Sequence, residues 1–141
     1  MAPRTRAQLA DALAAKGVPQ DAAEAVLNRF TEVGLIDDAA FAQAWVSSRQ
    51  AGRGLATRAL AEELRRRGID RETVSQALAT VDPAAEEAAA RMLVQRKLRS
   101  MRGLDPAVAR RRLLAMLARK GYPSDVAFRL IWDEISCSRI T

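Results

Sequence analysis

The side chains in this 141-residue chain whose types and spacing could do chemistry are few. They are the neighbouring carboxylates Asp37 and Asp38, the glycine-flanked Gly52-Arg53-Gly54 and the lone thiol Cys137. Paired carboxylates serve metal binding or acid/base work, but a diacid directly before a helical stretch also makes an N-cap followed by a second acid in the first turn, and we read it so. A phosphate-cradling loop needs a preceding strand and a Gly-Lys-Ser/Thr ending. Neither accompanies Gly52-Arg53-Gly54, which reads as a flexible link. The chain has no histidine and one cysteine. A zinc site asks for several Cys or His ligands, Ser-His and Cys-His nucleophilic pairs need a His, and a single cysteine cannot close an internal disulfide. We therefore expect no catalytic residue, no metal and no cofactor, and take Cys137 as a bystander thiol.

Aromatic side chains could instead stack on bases. Phe41 and Trp45 lie four residues apart, as do Phe128 and Trp132. Spacing of four puts each pair on one helical face, and both pairs are expected to be core anchors.

Charge is the remaining resource. The formal net charge is +6, divided as −1 over residues 1–50, +4 over 51–103 and +3 over 104–141. A positive half points to an anionic partner, either nucleic acid or an acidic protein groove. The plainer reading is a solvated surface: Glu62 and Glu87 stand four before Arg66 and Arg91, and Arg96, Lys97, Arg99 and Arg102 cluster at a helix C-terminus, where cations belong. The runs Arg65-Arg66-Arg67 and Arg110-Arg111-Arg112 fan around roughly 200° of a helix, so only part of each can face one partner. Arg58, Arg65 and Arg66 lie on nearby helical positions away from Leu60 and Leu64, with Glu62 among them. The expected contact residues are Arg53, Arg58, Arg65 and Arg66, helped by Arg96, Lys97 and Arg99.

The elements that position these groups repeat. Leu9, Leu13 and Lys16-Gly17-Val18 match Leu60, Leu64 and Arg67-Gly68-Ile69, and again Leu113, Leu117 and Lys120-Gly121-Tyr122, at offsets of 51 and 53 residues. Leu27, Leu78 and Ile131 continue the match. A period of about 50 residues with shared punctuation indicates tandem supersecondary units. Leucines four apart mark helices, a basic residue then Gly stops them, and prolines sit near helix starts. All seven glycines are placed between helices. Helices are expected near 5–16, 20–33, 38–50, 55–67, 70–80, 83–101, 106–119 and 124–135, with no strand. The division is three-helix repeat 1 over residues 1–50, repeat 2 over 51–103, and a short or incomplete repeat 3 over 104–141. Such an all-α chain of tandem three-helix repeats should form an elongated, curved array with a large exposed face.

No apolar run approaches the roughly 20 residues that span a bilayer. The stretch Arg4 to Gly17 is amphipathic like a transit peptide, but Asp11 has the wrong charge and the pattern recurs twice as ordinary structure. A cytoplasmic protein without a membrane partner is expected.

Gly34-Leu35-Ile36-Asp37-Asp38, Phe41-Ala42, Trp45-Val46 and Arg49, continued by Glu62-Glu63-Leu64, Gly68-Ile69, Val74 and Leu78, resemble the signature of the bacterial RecX regulatory proteins. The resemblance runs from about Arg6 to Glu134. It implies arrays of three-helix repeats that bind the RecA recombinase, particularly its filament on single-stranded DNA. It also implies inhibition of the ATPase and strand-exchange activities, within recombinational repair and the SOS response, by a non-enzymatic protein with no catalytic residues to carry over. Gly34, Asp37, Asp38, Phe41, Trp45 and Gly68 are then structural signature positions. The partner expected is the RecA filament, with single- or double-stranded DNA as a further one, and the protein is expected to be a monomer. The competing reading is a stand-alone helical DNA-binding module, since three-helix units resemble helix-turn-helix domains.

Overall fold

The computed structural model describes residues 4–140, and all its regular elements are helical. The helices are α1 (Arg6–Ala15), α2 (Gln20–Glu32), α3 (Asp38–Arg53), α4 (Thr57–Arg66), α5 (Arg71–Leu78), α6 (Pro83–Arg99), α7 (Pro106–Arg119) and α8 (Ser124–Ile140). All eight expected helices are present. Local chemistry accounts for their ends. Thr5, Asp70, Asp82 and Asp105 each accept a hydrogen bond from a first-turn N–H, satisfying donors that have no partner inside the helix. At the other end the same closure recurs: Val18, Ile69 and Tyr122 donate N–H to the carbonyls of Leu13, Leu64 and Leu117. The glycine before each has φ of +80°, +81° or +93°, a left-handed conformation that Gly adopts at least cost.

One expectation about glycine fails. Gly52 is not a link, because α3 continues through it to Arg53. A glycine inside a helix costs only about 1 kcal/mol relative to Ala. The stop is Gly54, with φ +62°, where a Cβ would come within 2.9 Å of Leu93 Cδ1.

The chain forms two compact units, residues 1–48 with 60–80, and residues 49–59 with 81–141. The first holds α1, α2, α5 and parts of α3 and α4. Its core joins Leu27, Ile36, Ala42, Val46, Leu60, Leu64, Ile69 and Val74. The second holds α6, α7, α8 and the remaining parts of α3 and α4, around Ala90, Val94, Leu113, Leu117, Leu130 and Ile131. The leucine pairs Leu60/Leu64 and Leu113/Leu117 are wholly buried, worth roughly 1.5–3 kcal/mol per side chain.

Both units are built by the same device. In the first, the N–H of Arg6, at the start of α1, donates to Asp38 of α3 (3.0 Å), and the hydroxyl of Thr5 donates to the Arg67 carbonyl (2.8 Å). In the second, the Thr57 N–H, at the start of α4, donates to Glu86 of α6 (3.0 Å), and the Ala56 N–H donates to the Lys120 carbonyl (2.9 Å). A Cβ on Gly68 would lie 2.3 Å from Ala7 Cβ, and one on Gly121 would lie 2.8 Å from the Ala59 nitrogen. The start of one leading helix thus rests against the glycine that ends the next.

Candidate interaction surface

In the first unit, Gly34 ends α2 with φ +81° and has no atom within 4 Å of where a Cβ would stand. Asp37 accepts the Ala40 N–H (3.0 Å) and so caps α3, while Asp38 is the carboxylate that holds Arg6. Phe41 and Trp45 are half-buried and stack with centroids 5.7 Å apart at 18°. The Trp45 indole N–H donates to Glu63 (3.1 Å), and the Arg67 guanidinium covers its face. Arg65 and Arg66 are exposed, and both engage Glu62, as the sequence spacing implies.

In the second unit, Arg53 is exposed at the end of α3, and its carbonyl accepts from the Lys120 ammonium (2.9 Å). Arg58 is exposed on the wall of a cleft of about 540 Å³ lined by Thr57, Glu86, Tyr122 and Arg129 among others. Within the cleft Arg129 pairs with Glu87, Glu86 accepts from the Thr57 N–H, and Arg58 joins no ion pair among the described residues. Tyr122 is buried, and its hydroxyl donates to the Gly54 carbonyl (2.8 Å). Burial, with the negative Glu86 nearby, pushes its phenol up to about 12. Arg96, Lys97 and Arg99 are all exposed in the last turn of α6. Among the described residues none of the three joins an ion pair.

The second aromatic pair departs from expectation. Phe128 and Trp132 are not core anchors, being 60% and 63% exposed. The inward stripe of α8 is Ala127, Leu130 and Ile131, and positions 128 and 132 lie on the flank of that stripe, beyond the reach of the core. The rings instead border a groove of about 520 Å³ between α7 and α8, walled by Val108, Leu114 and Ile131 and flanked by Arg110 and Arg111. Sequence periodicity missed this because spacing of four shows that two residues share a face, but not which face. Alignment of the repeats carried the signal. Where the third repeat has Phe128 and Trp132, the first has Glu24 and Asn28 and the second Ser75 and Ala79, so the fold does not require an apolar side chain there.

No group of three or more His, Cys, Asp or Glu converges among the described residues, and none of their helices is long and apolar enough to cross a membrane. The side chain of Cys137 lies outside the described residues.

Comparison with known proteins agrees with this architecture. Residues 1–30, 37–78 and 85–131 match the first, second and third three-helix domains of RecX. The chain is 55% identical to the regulatory protein RecX of Thermobifida fusca (strain YX), covering 99% of this chain and 75% of that one. It is 57% identical to the RecX of Streptomyces lividans, covering 92% and 69% respectively. The fold is that of the crystal structure of RecX from Lactobacillus salivarius, with TM-score 0.83 at 18% identity over 94% of this chain and 86% of that one. A second crystal structure, of a regulatory protein RecX, gives TM-score 0.81 at 23% identity, and this chain spans 64% of its length. With three matching domains and relatives more than half identical, the chain belongs to the RecX family of regulatory proteins.

Proposed function

We propose that this chain is a non-enzymatic, cytoplasmic, monomeric regulator that binds the RecA recombinase filament on single-stranded DNA. In this reading it inhibits the filament's ATPase and strand-exchange activities and so modulates recombinational repair. The observation that carries the reading is the run of family domains through nearly the whole chain. Surface chemistry supports it. Arg96, Lys97 and Arg99 are exposed cations without carboxylate partners among the described residues, free to meet DNA phosphate or an acidic protein surface. Such contacts release counterions and weaken steeply with salt. Arg53, Arg58, Arg65 and Arg66 add to the field, although Glu62 neutralises part of it. The repeats 1–50, 51–103 and 104–141 are kept as the working division, with most of the contact assigned to the second.

The test is ATPase inhibition across a salt series. The triple reversal Arg96→Glu, Lys97→Glu, Arg99→Glu and the pair Arg58→Glu, Arg65→Glu should each weaken inhibition and flatten its salt dependence, with the fold intact. Reversal of Arg4 and Lys16 in the first repeat should matter less. Arg6 is unsuitable as a control, since its guanidinium holds Asn28 (2.7 Å) and Thr31 (3.1 Å). Equal inhibition by all variants would sink the electrostatic reading. Binding to bare single-stranded DNA as tight as to the recombinase-coated strand would favour a stand-alone DNA-binding module.

A further inference from the structure

The groove between α7 and α8 is not used by the charge-based reading above. Its two rings are exposed, and its guanidiniums, Arg110 and Arg111, engage no carboxylate among the described residues. Exposed aromatics beside unpaired cations mark a surface built for contact rather than for the core. The other repeats place Glu24 and Asn28, or Ser75 and Ala79, at the two ring positions. The aromatic pair is therefore an addition peculiar to the third repeat.

Two features indicate the occupant. A stacking site for successive bases asks for a run of exposed rings, whereas here two rings stand beside aliphatic side chains. Together with Val108, Leu114 and Ile131 they wall a concavity of about 520 Å³, the form in which a helix lays its apolar face. The second feature is charge. Asp105 lines the groove but is taken up by the Ala107 N–H (2.9 Å), whereas Arg110 and Arg111 meet no carboxylate among the described residues, so the complement of the groove is a helix that carries carboxylates beside its apolar face.

We propose that this groove docks an acidic amphipathic helix of the recombinase. The assignment rests on the reading that the recombinase is the partner. Apolar side chains of that helix seat between Phe128 and Trp132, and its carboxylates pair with Arg110 and Arg111.

The experiment compares wild type, Phe128→Ala with Trp132→Ala, and Arg110→Glu with Arg111→Glu. Each is titrated against RecA without DNA, RecA on oligo(dT), and bare oligo(dT). Circular dichroism confirms that each variant folds, and the charge-reversed pair leaves the apolar wall in place. Both variants should bind RecA at least tenfold more weakly, with and without DNA, while binding to bare oligo(dT) stays as in wild type. Wild-type affinity for RecA in both variants would overturn the groove assignment and leave the proposed function standing. A parallel loss on bare oligo(dT) would make the surface a nucleic-acid site and overturn it also. A wild-type dimer that the aromatic variant dissociates would make it a self-interface, with the same result. If wild type binds RecA in no form, the functional reading fails and the groove assignment with it.

Discussion

The guanidinium carbon of Arg67 lies 3.8 Å from the centroid of the Trp45 ring, and the carbonyl of the same arginine accepts the hydroxyl of the buried Thr5. One residue at the end of α4 therefore fastens both α3 and the start of α1. Trp45 also stacks with Phe41, and Glu63 takes the indole N–H. Trp45→Ala removes all three contacts, and we expect a loss of about 3 kcal/mol, read as a lower urea midpoint. Trp45→Phe keeps the ring and should lose much less. A loss below about 1 kcal/mol for the alanine variant would show that these contacts are not coupled to folding of the first unit.

Tyr122 makes a prediction with a defined pH window. Its hydroxyl supplies the Gly54 carbonyl, so Tyr122→Phe should cost about 1–2 kcal/mol by leaving that carbonyl short of a donor. The phenol titrates near 10.0 when unfolded and at about 12 when folded. The protonated form is the one that the fold favours, so its contribution is complete below the lower value and is lost as pH rises through the higher one. Denaturation at pH 9 and pH 11.5 should show a fall in stability for wild type, with a smaller fall for Tyr122→Phe. Spectrophotometric titration of the phenolate locates the shift directly.

The glycines that end the leading helices should not be equivalent. Gly17→Ala meets only the left-handed backbone, with nothing within 4 Å, and should cost about 1–2 kcal/mol. Gly121→Ala adds a Cβ 2.8 Å from the Ala59 nitrogen, which only a backbone shift relieves. A cost above about 3 kcal/mol is expected. Gly68→Ala collides with the Ala7 methyl and should also exceed Gly17→Ala. Thermal melts of the three variants give the order, and equal losses would show that the close approach of successive repeats carries no weight.

Asp70 caps α5 by accepting the Thr73 N–H at 2.7 Å, and that hydrogen bond lowers its carboxyl below the usual 3.8. The stability it lends is complete above that value and is lost as pH falls through the lowered one. Asp70→Asn retains a capping oxygen without a titrating group. It should therefore match wild type near neutrality and show a shallower loss in acid. An unchanged acid profile would mean that this cap does not contribute to acid unfolding.

Much of the architecture is local and so was legible in the residues alone. Leu60 with Leu64, Leu113 with Leu117, and the Gly stops at 17, 68 and 121 act within a turn or two of their own helix. A repeat of about 50 residues then told how many times the unit recurs, and the combination Gly34, Asp37, Asp38, Phe41 and Trp45 pointed to the family. Tertiary packing decided what local chemistry leaves open. Gly52 reads as a breaker yet lies inside α3, because one glycine near the end of a helix is a small penalty. Asp38 reads as a charge at a helix start, and only the approach of α1 gives it the Arg6 N–H to hold. Phe41 with Trp45 and Phe128 with Trp132 have identical spacing, yet the first pair is half-buried and the second open. Helical periodicity specifies which residues share a face. Which face meets a neighbour depends on chain distant in sequence, here Glu63 and Arg67 for the first pair and the core-facing stripe of α8 for the second.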